Sequence, residues 1–302
     1  MQWLDVFSSL TLMRPPRFLG LYRRLLASGN DNGGAGGGYW PGTELTDHNG
    51  LDLRMEGLSG CPDEVMLALA EVSALAHWKE QESSKGSLSV RELVRRGDEI
   101  ERQLLQRHRE QEQQRQHAEL VGYPEVNKTP LHPSLPQALP PLGDSGHTLP
   151  FVDEEIRRTA GNVFREAVLL YLHTVLNDPY PGKLLFSPPS LLPFRCSCAV
   201  YLIGVPEIRE SVGKVIHALQ LIPPSEVDRS LMFPICLAGC MTDDVAQRDM
   251  LKSRLQAQEQ NIGTLMQTRA VLESVWQKRD AHGGMIDWRE TMRDAHLNLL
   301  LI

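Results

Sequence analysis

Four of the five cysteines fall into two close pairs, Cys196 with Cys198 and Cys236 with Cys240, and thiolates at such spacing are the first candidates for a metal site. Closed zinc sites favour C-x2-4-C pairs, often with added histidine, so a C-x-C beside a C-x3-C matches loosely. Cys236 and Cys240 stand four apart in apolar sequence, which suits buried helical thiols better. Asp243, Asp244 and Asp249 resemble the acidic magnesium motif of an all-helical synthase, but Asp249 lies too far along and no second acidic motif faces it. The first turn of a helix accounts for Asp243 and Asp244 at lower cost. The ten histidines show no pair at ligand spacing, and His173 and His217 sit in apolar helical sequence, where a hydrogen-bonded core histidine is the expectation. The run Gly33 to Gly38 follows no predicted strand and ends in no Gly-Lys-Ser/Thr, so it is not a phosphate cradle. Nucleophile elbow, H-E-x-x-H and dinucleotide glycine signatures do not occur in the sequence. The reading is no enzyme, with no catalytic residue, no cofactor-binding residue and no metal ligand.

The 302 residues carry 31 Lys+Arg against 38 Asp+Glu, a formal charge of −7. A duplex-binding surface neutralises phosphates with clustered cations, so an acidic chain makes direct DNA binding a poor expectation. Hydrophobic content of 41% with 23% charged residues is ordinary globular usage. An odd, sparse set of cysteines suggests a reducing compartment. No apolar stretch approaches the roughly 18 residues of a membrane span, so no membrane association is expected.

The elements that position these residues read as helices. Pro62 to about Gln81 opens with Pro, Asp63 and Glu64, then is apolar nearly all round, which marks a central helix. Ser89 and Glu92 form a capping box for a long helix with a stripe at Val90, Leu93, Val94, Ile100 and Leu104. Between Arg91 and Glu119 seven arginines balance seven acids, which describes a solvated helix face rather than a DNA-binding arm. Helical periodicity continues over 153–176 and 208–222, then in segments 231–241, 242–260 and 262–279, with a last helix capped by Asp287 and Glu290. Residues 195–203 are ambiguous and could be a strand. Two segments interrupt the pattern: a Gly-rich flexible loop at 28–42, and 122–150, a disordered insertion with seven prolines. The fold class is all-α, with helical hairpins packed around one core.

The run Phe233-Pro234-Ile235-Cys236-Leu237-Ala238-Gly239-Cys240, then Gln247-Arg248-Asp249, then Val271-Leu272-Glu273-Ser274-Val275-Trp276, then Asp287-Trp288-Arg289, resembles the C-terminal regulatory domain of fungal zinc-cluster transcription factors. Upstream, Trp3-Leu4-Asp5-Val6, Gly60-Cys61-Pro62 and Arg165-Glu166-Ala167-Val168-Leu169-Leu170-Tyr171-Leu172-His173 are similar to the same family in the same order. In this family a six-cysteine binuclear zinc module binds DNA and a large helical domain regulates it. No Cys-x2-Cys-x6-Cys array occurs here.

The resemblance therefore implies a single regulatory domain over 1–302, N-terminally incomplete. It implies control of RNA polymerase II transcription in the nucleus through contacts with the transcription machinery or other regulators. A small-molecule effector between helices and a homodimer are compatible with it, and DNA would be reached only through an absent or upstream zinc-cluster module. Trp276 and Trp288 read as apolar anchors, Gly239 as a close helix approach, and Arg248 with Asp287 as an interhelical ion pair. Two other classes stay open from the residues alone: a helical protein-interaction scaffold with no transcriptional role, and a helical enzyme using Asp243, Asp244 and Asp249.

Overall fold

A helix with few charges in its second half has to be surrounded, and Glu154–Asn177 is: from Ala160 to Leu172 all but Asn162 and Glu166 are buried in this computed structural model. The structure describes residues 2–12, 14–27, 60–120, 154–177, 206–257, 263–282, 286, 288–294 and 301. The expected Gly-rich loop, the Pro-rich insertion, and 195–203 with Cys196 and Cys198 lie outside the described residues. The described residues form eleven helices and no strand: α1 (Gln2–Leu12), α2 (Leu19–Ala27), α3 (Asp63–Ser84), α4 (Val90–Leu120), α5 (Glu154–Asn177), α6 (Pro206–Gln220), α7 (Val227–Ser230), α8 (Met232–Met241), α9 (Val245–Gln256), α10 (Thr264–His282) and α11 (Trp288–Asp294). The chain is all-α, as its periodicity requires.

Helix α5 touches α3, α4, α6 and α8. Helix α8 is the other buried element, with all ten residues inside. Phe233 of α8 ties α1 to α5: its ring meets Phe7 of α1 at 5.9 Å and Tyr171 of α5 at 6.2 Å, both edge to face. A fully buried Phe side chain contributes about 1.5 to 3 kcal/mol, and such aromatic pairs add roughly 0.5 to 1.5 more.

Helix α3 starts after Pro62 with Asp63 and Glu64 in its first turn. It ends where Gly86 takes φ 71, a left-handed turn that lets Gly86 and Ser87 amides return to the Ser83 and Glu82 carbonyls. Ser89 then caps α4, its Oγ accepting from the Glu92 amide at 3.3 Å. The α4 stripe is narrower than expected. Leu93, Gly97 and Leu104 face inward, while Val90 and Val94 are 67% and 43% exposed. The reason is position: α4 borders the core and packs mainly on α3 and α5, so only one seam of its surface finds a partner.

The C-terminal end of α8 explains several conspicuous residues. A buried helix end leaves carbonyls that need donors. Trp276 of α10 donates Nε1 to the Gly239 carbonyl at 2.9 Å. Arg279 donates to the Cys240 carbonyl and, at 3.1 Å, to the Thr242 carbonyl. Arg248 of α9 reaches the same Thr242 carbonyl at 3.3 Å. Gly239 lets α10 come this close, since a Cβ there would sit 2.7 Å from Leu272 Cδ2.

Candidate functional site

The sequence candidates for chemistry resolve into structure. Cys236 and Cys240 are buried thiols inside α8, and Cys61 is a buried thiol ahead of α3. Among the described residues no group of three His, Cys, Asp or Glu side chains is placed to hold a metal ion. Asp244 is the N-cap of α9, its Oδ1 accepting from Ala246 and Gln247 amides at 2.8 and 3.1 Å. Asp243 meets Arg279 at 3.1 Å and Arg248 at 3.4 Å, and Asp249 stands exposed on α9. Arg248 donates from Nη1 to both carboxylate oxygens of Asp280 on α10, at 3.0 and 3.1 Å, while Asp287, its expected partner, lies outside the described residues.

His173 is the hydrogen-bonded histidine expected, with Nδ1 2.9 Å from Ser211 Oγ across the α5 and α6 interface. A serine beside a histidine is also the first half of a nucleophilic pair. Ser211 is 4% exposed, packed between the two helices and outside the lining of the cleft described next, so the contact fastens one helix to the other. His217 departs from the expectation. It is exposed on α6 because it falls opposite Val215, Ile216 and Leu219, which take the buried face.

One concavity combines size with charged side chains. A cleft of about 840 Å³ opens between the second half of α4, the first half of α5 and the end of α6. Its charged centre is Arg165, only 6% exposed. One Nη1 donates to Asn162 Oδ1 at 2.6 Å and lies 3.3 Å from His108 Nε2, which must be the acceptor because a guanidinium has none. The Arg165 Nε has no hydrogen-bond partner among the described residues, and neither has Oε2 of Glu166. Burial pulls the Arg165 guanidinium below its ordinary value, an effect partly opposed by Glu64, Glu166 and Glu112. Burial likewise pushes the Glu166 carboxyl up, against the pull of Lys214, Arg165 and His173. Ile156, Ala218, Leu221 and Ile222 supply an apolar wall.

Sequence reasoning missed this cleft, although one signal was available. Arg165 and Glu166 are adjacent charges immediately ahead of the apolar run Ala167 to Leu172 and behind Val163 and Phe164, and long charged side chains there need a reason.

The wall is held by a buried ion pair. Arg254 of α9, 4% exposed, gives Nε and Nη2 to Asp228 Oδ1 at 3.0 and 2.6 Å. Its Nη1 donates to the carbonyls of Leu219 and Ile222 at 2.6 and 2.9 Å, which closes the C-terminal end of α6.

A family model described as the fungal specific transcription factor domain matches residues 1–302. The chain belongs to this family. Relatives of the fungal specific transcription factor domain found here include the ustiloxin B cluster transcription factor of Aspergillus flavus, 26% identical over 267 residues, which are 85% of this chain and 37% of that protein. A trichothecene biosynthesis transcription regulator of Fusarium sporotrichioides is 23% identical over 261 residues, 85% of this chain and 47% of that protein. A transcription factor of Diaporthe leptostromiformis is 25% identical over 310 residues, 97% of this chain and 43% of that protein. The chain thus spans less than half the length of these relatives. No solved structure matches it. Among the described residues no helix is long and apolar enough to cross a membrane.

Proposed function

We propose that residues 1–302 act as one regulatory domain of a pathway-specific fungal transcription factor, controlling a set of biosynthetic genes. The observation that carries this reading is the family match along the whole chain, joined to relatives named as regulators of biosynthesis. The domain works in the nucleus by contacts with the transcription machinery or other regulators, as a monomer or homodimer, and catalyses no reaction. DNA is reached through a zinc-cluster module outside these residues. The acidic balance supports the division of labour, since a chain of charge −7 is unsuited to coating phosphates by itself.

The test joins the full chain to an unrelated DNA-binding module that drives a reporter in a filamentous fungus. Reporter output at least threefold above or below that of the DNA-binding module alone is the expected result. Unchanged output from a fusion shown to be folded and nuclear would overturn the proposal.

A further inference from the structure

We propose that the cleft between α4, α5 and α6 binds a small monoanionic carboxylate with an apolar body, its carboxylate received by Arg165 and Asn162 and its body by the Leu221 wall. This rests on the regulatory reading for its biological meaning, though the binding itself does not.

Three observations converge. Arg165 is nearly fully buried, yet among the described residues no carboxylate lies within ion-pair distance of it. A guanidinium taken out of water without a counter-charge is costly, and its donor edge is built for a planar carboxylate. Asn162 spends its Oδ1 on Arg165, which leaves its amide NH2 to donate beside the guanidinium. The cavity, about 840 Å³, lies in the range of small-molecule sites. The wall of that cavity belongs to the same observation: Leu221 is 64% exposed there, beside Ile156 and Ala218, and a ligand's apolar body would cover it.

The charge balance selects a monoanion. Lys214 is engaged by Glu210 at 2.8 Å and Arg158 is exposed, so Arg165 is the buried cation of the cleft, with Glu112 and Glu166 also in its lining. A phosphate dianion at Arg165 would meet those glutamates with one buried guanidinium to offset it, whereas a carboxylate needs only that one.

Titration calorimetry on the full chain with benzoate, phenylacetate and isovalerate, each against its amide, tests the site. At least one acid is expected to bind about tenfold more tightly than its amide. Arg165→Gln and Asn162→Leu should abolish that preference. Because Arg165→Gln could fail to fold, Leu221→Glu, a change at an exposed position, provides an independent arm and should weaken the acid about tenfold. Acids and amides binding alike, no acid binding the folded chain, or inorganic phosphate binding more tightly than every acid would each overturn the proposal. An active reporter fusion with no acid binding removes the site and leaves the regulatory reading standing. Acid binding with a silent reporter upholds the site and removes that reading.

Discussion

Removing Arg254 should be among the most damaging single substitutions in this domain, and the structure fixes how large the loss is. The guanidinium makes four hydrogen bonds of 2.6 to 3.0 Å, two to Asp228 and two to the Leu219 and Ile222 carbonyls. Asp228 is 0% exposed, so Arg254→Ala strands a buried carboxylate and two buried carbonyls together. Breaking a buried pair from one side costs about 3 to 5 kcal/mol. For a chain of this size that lowers the melting temperature by roughly 10 °C. Burial already pushes the Asp228 carboxyl up despite Arg254, which lowers the cost of neutralising it. Asp228→Asn keeps an acceptor oxygen but leaves the buried Arg254 without its counter-charge, and should cost about 2 to 4 kcal/mol. The double variant Arg254→Ala with Asp228→Asn should be no worse than Arg254→Ala alone, because the orphaned charge goes with its partner. Urea denaturation of the four proteins gives the cycle. An Arg254→Ala loss below about 1 kcal/mol, or strictly additive single losses, would refute this account of the pair.

Gly239→Ala should destabilise by about 1 to 3 kcal/mol, since its Cβ would stand 2.7 Å from Leu272 Cδ2, and combining it with Leu272→Ala should cost less than the sum of the single losses in urea titrations. Trp276→Phe keeps most of the ring but leaves the Gly239 carbonyl without its 2.9 Å donor, a loss of about 1 to 2 kcal/mol by the same assay. Glu166 carries a carboxyl raised by burial, so the folded state holds its proton to higher pH than the unfolded state, and stability drains away as pH rises through the raised value. Glu166→Gln should therefore melt higher than wild type at pH 8 and show little gain at pH 4; a gain confined to acid would contradict the assignment.

Much of the fold was legible because local rules and global packing agree. Pro62 with Asp63 and Glu64, Ser89 with Glu92, and Asp244 ahead of α9 all mark real helix starts, since orphan amides need acceptors whatever the tertiary context. Periodicity puts Val90 and Val94 on the α4 stripe yet both are exposed, because it states which face is apolar but not how wide a partner covers it. His217 was placed inside for the same reason. Arg248 pairs with Asp280 of another helix, at a distance in sequence that no spacing rule reaches, and its expected partner Asp287 lies outside the described residues.

The cleft was illegible for a different reason. His108, Arg165 and Lys214 come from three helices and meet only after α4, α5 and α6 have packed, so no window of sequence contains the site. Its wiring to the rest of the molecule is equally non-local. Leu221 and Ile222 line the cleft, and the carbonyls of Leu219 and Ile222 are the ones Arg254 holds from α9. Helix α9 in turn carries Arg248, which with Arg279 and Trp276 closes the end of α8 against α10. A ligand shifts a domain only by binding one arrangement better than another. An occupant that pulls the α6 terminus toward Arg165 must act against the Arg254 clamp, and the clamp's strength sets how much of the binding free energy reaches α9. The position that tests the stability of the pair therefore also tests the coupling. With α6 released by a milder change such as Arg254→Lys, an acid in the cleft should bind with altered affinity although it never touches Arg254, and an unchanged affinity would separate the cleft from the clamp.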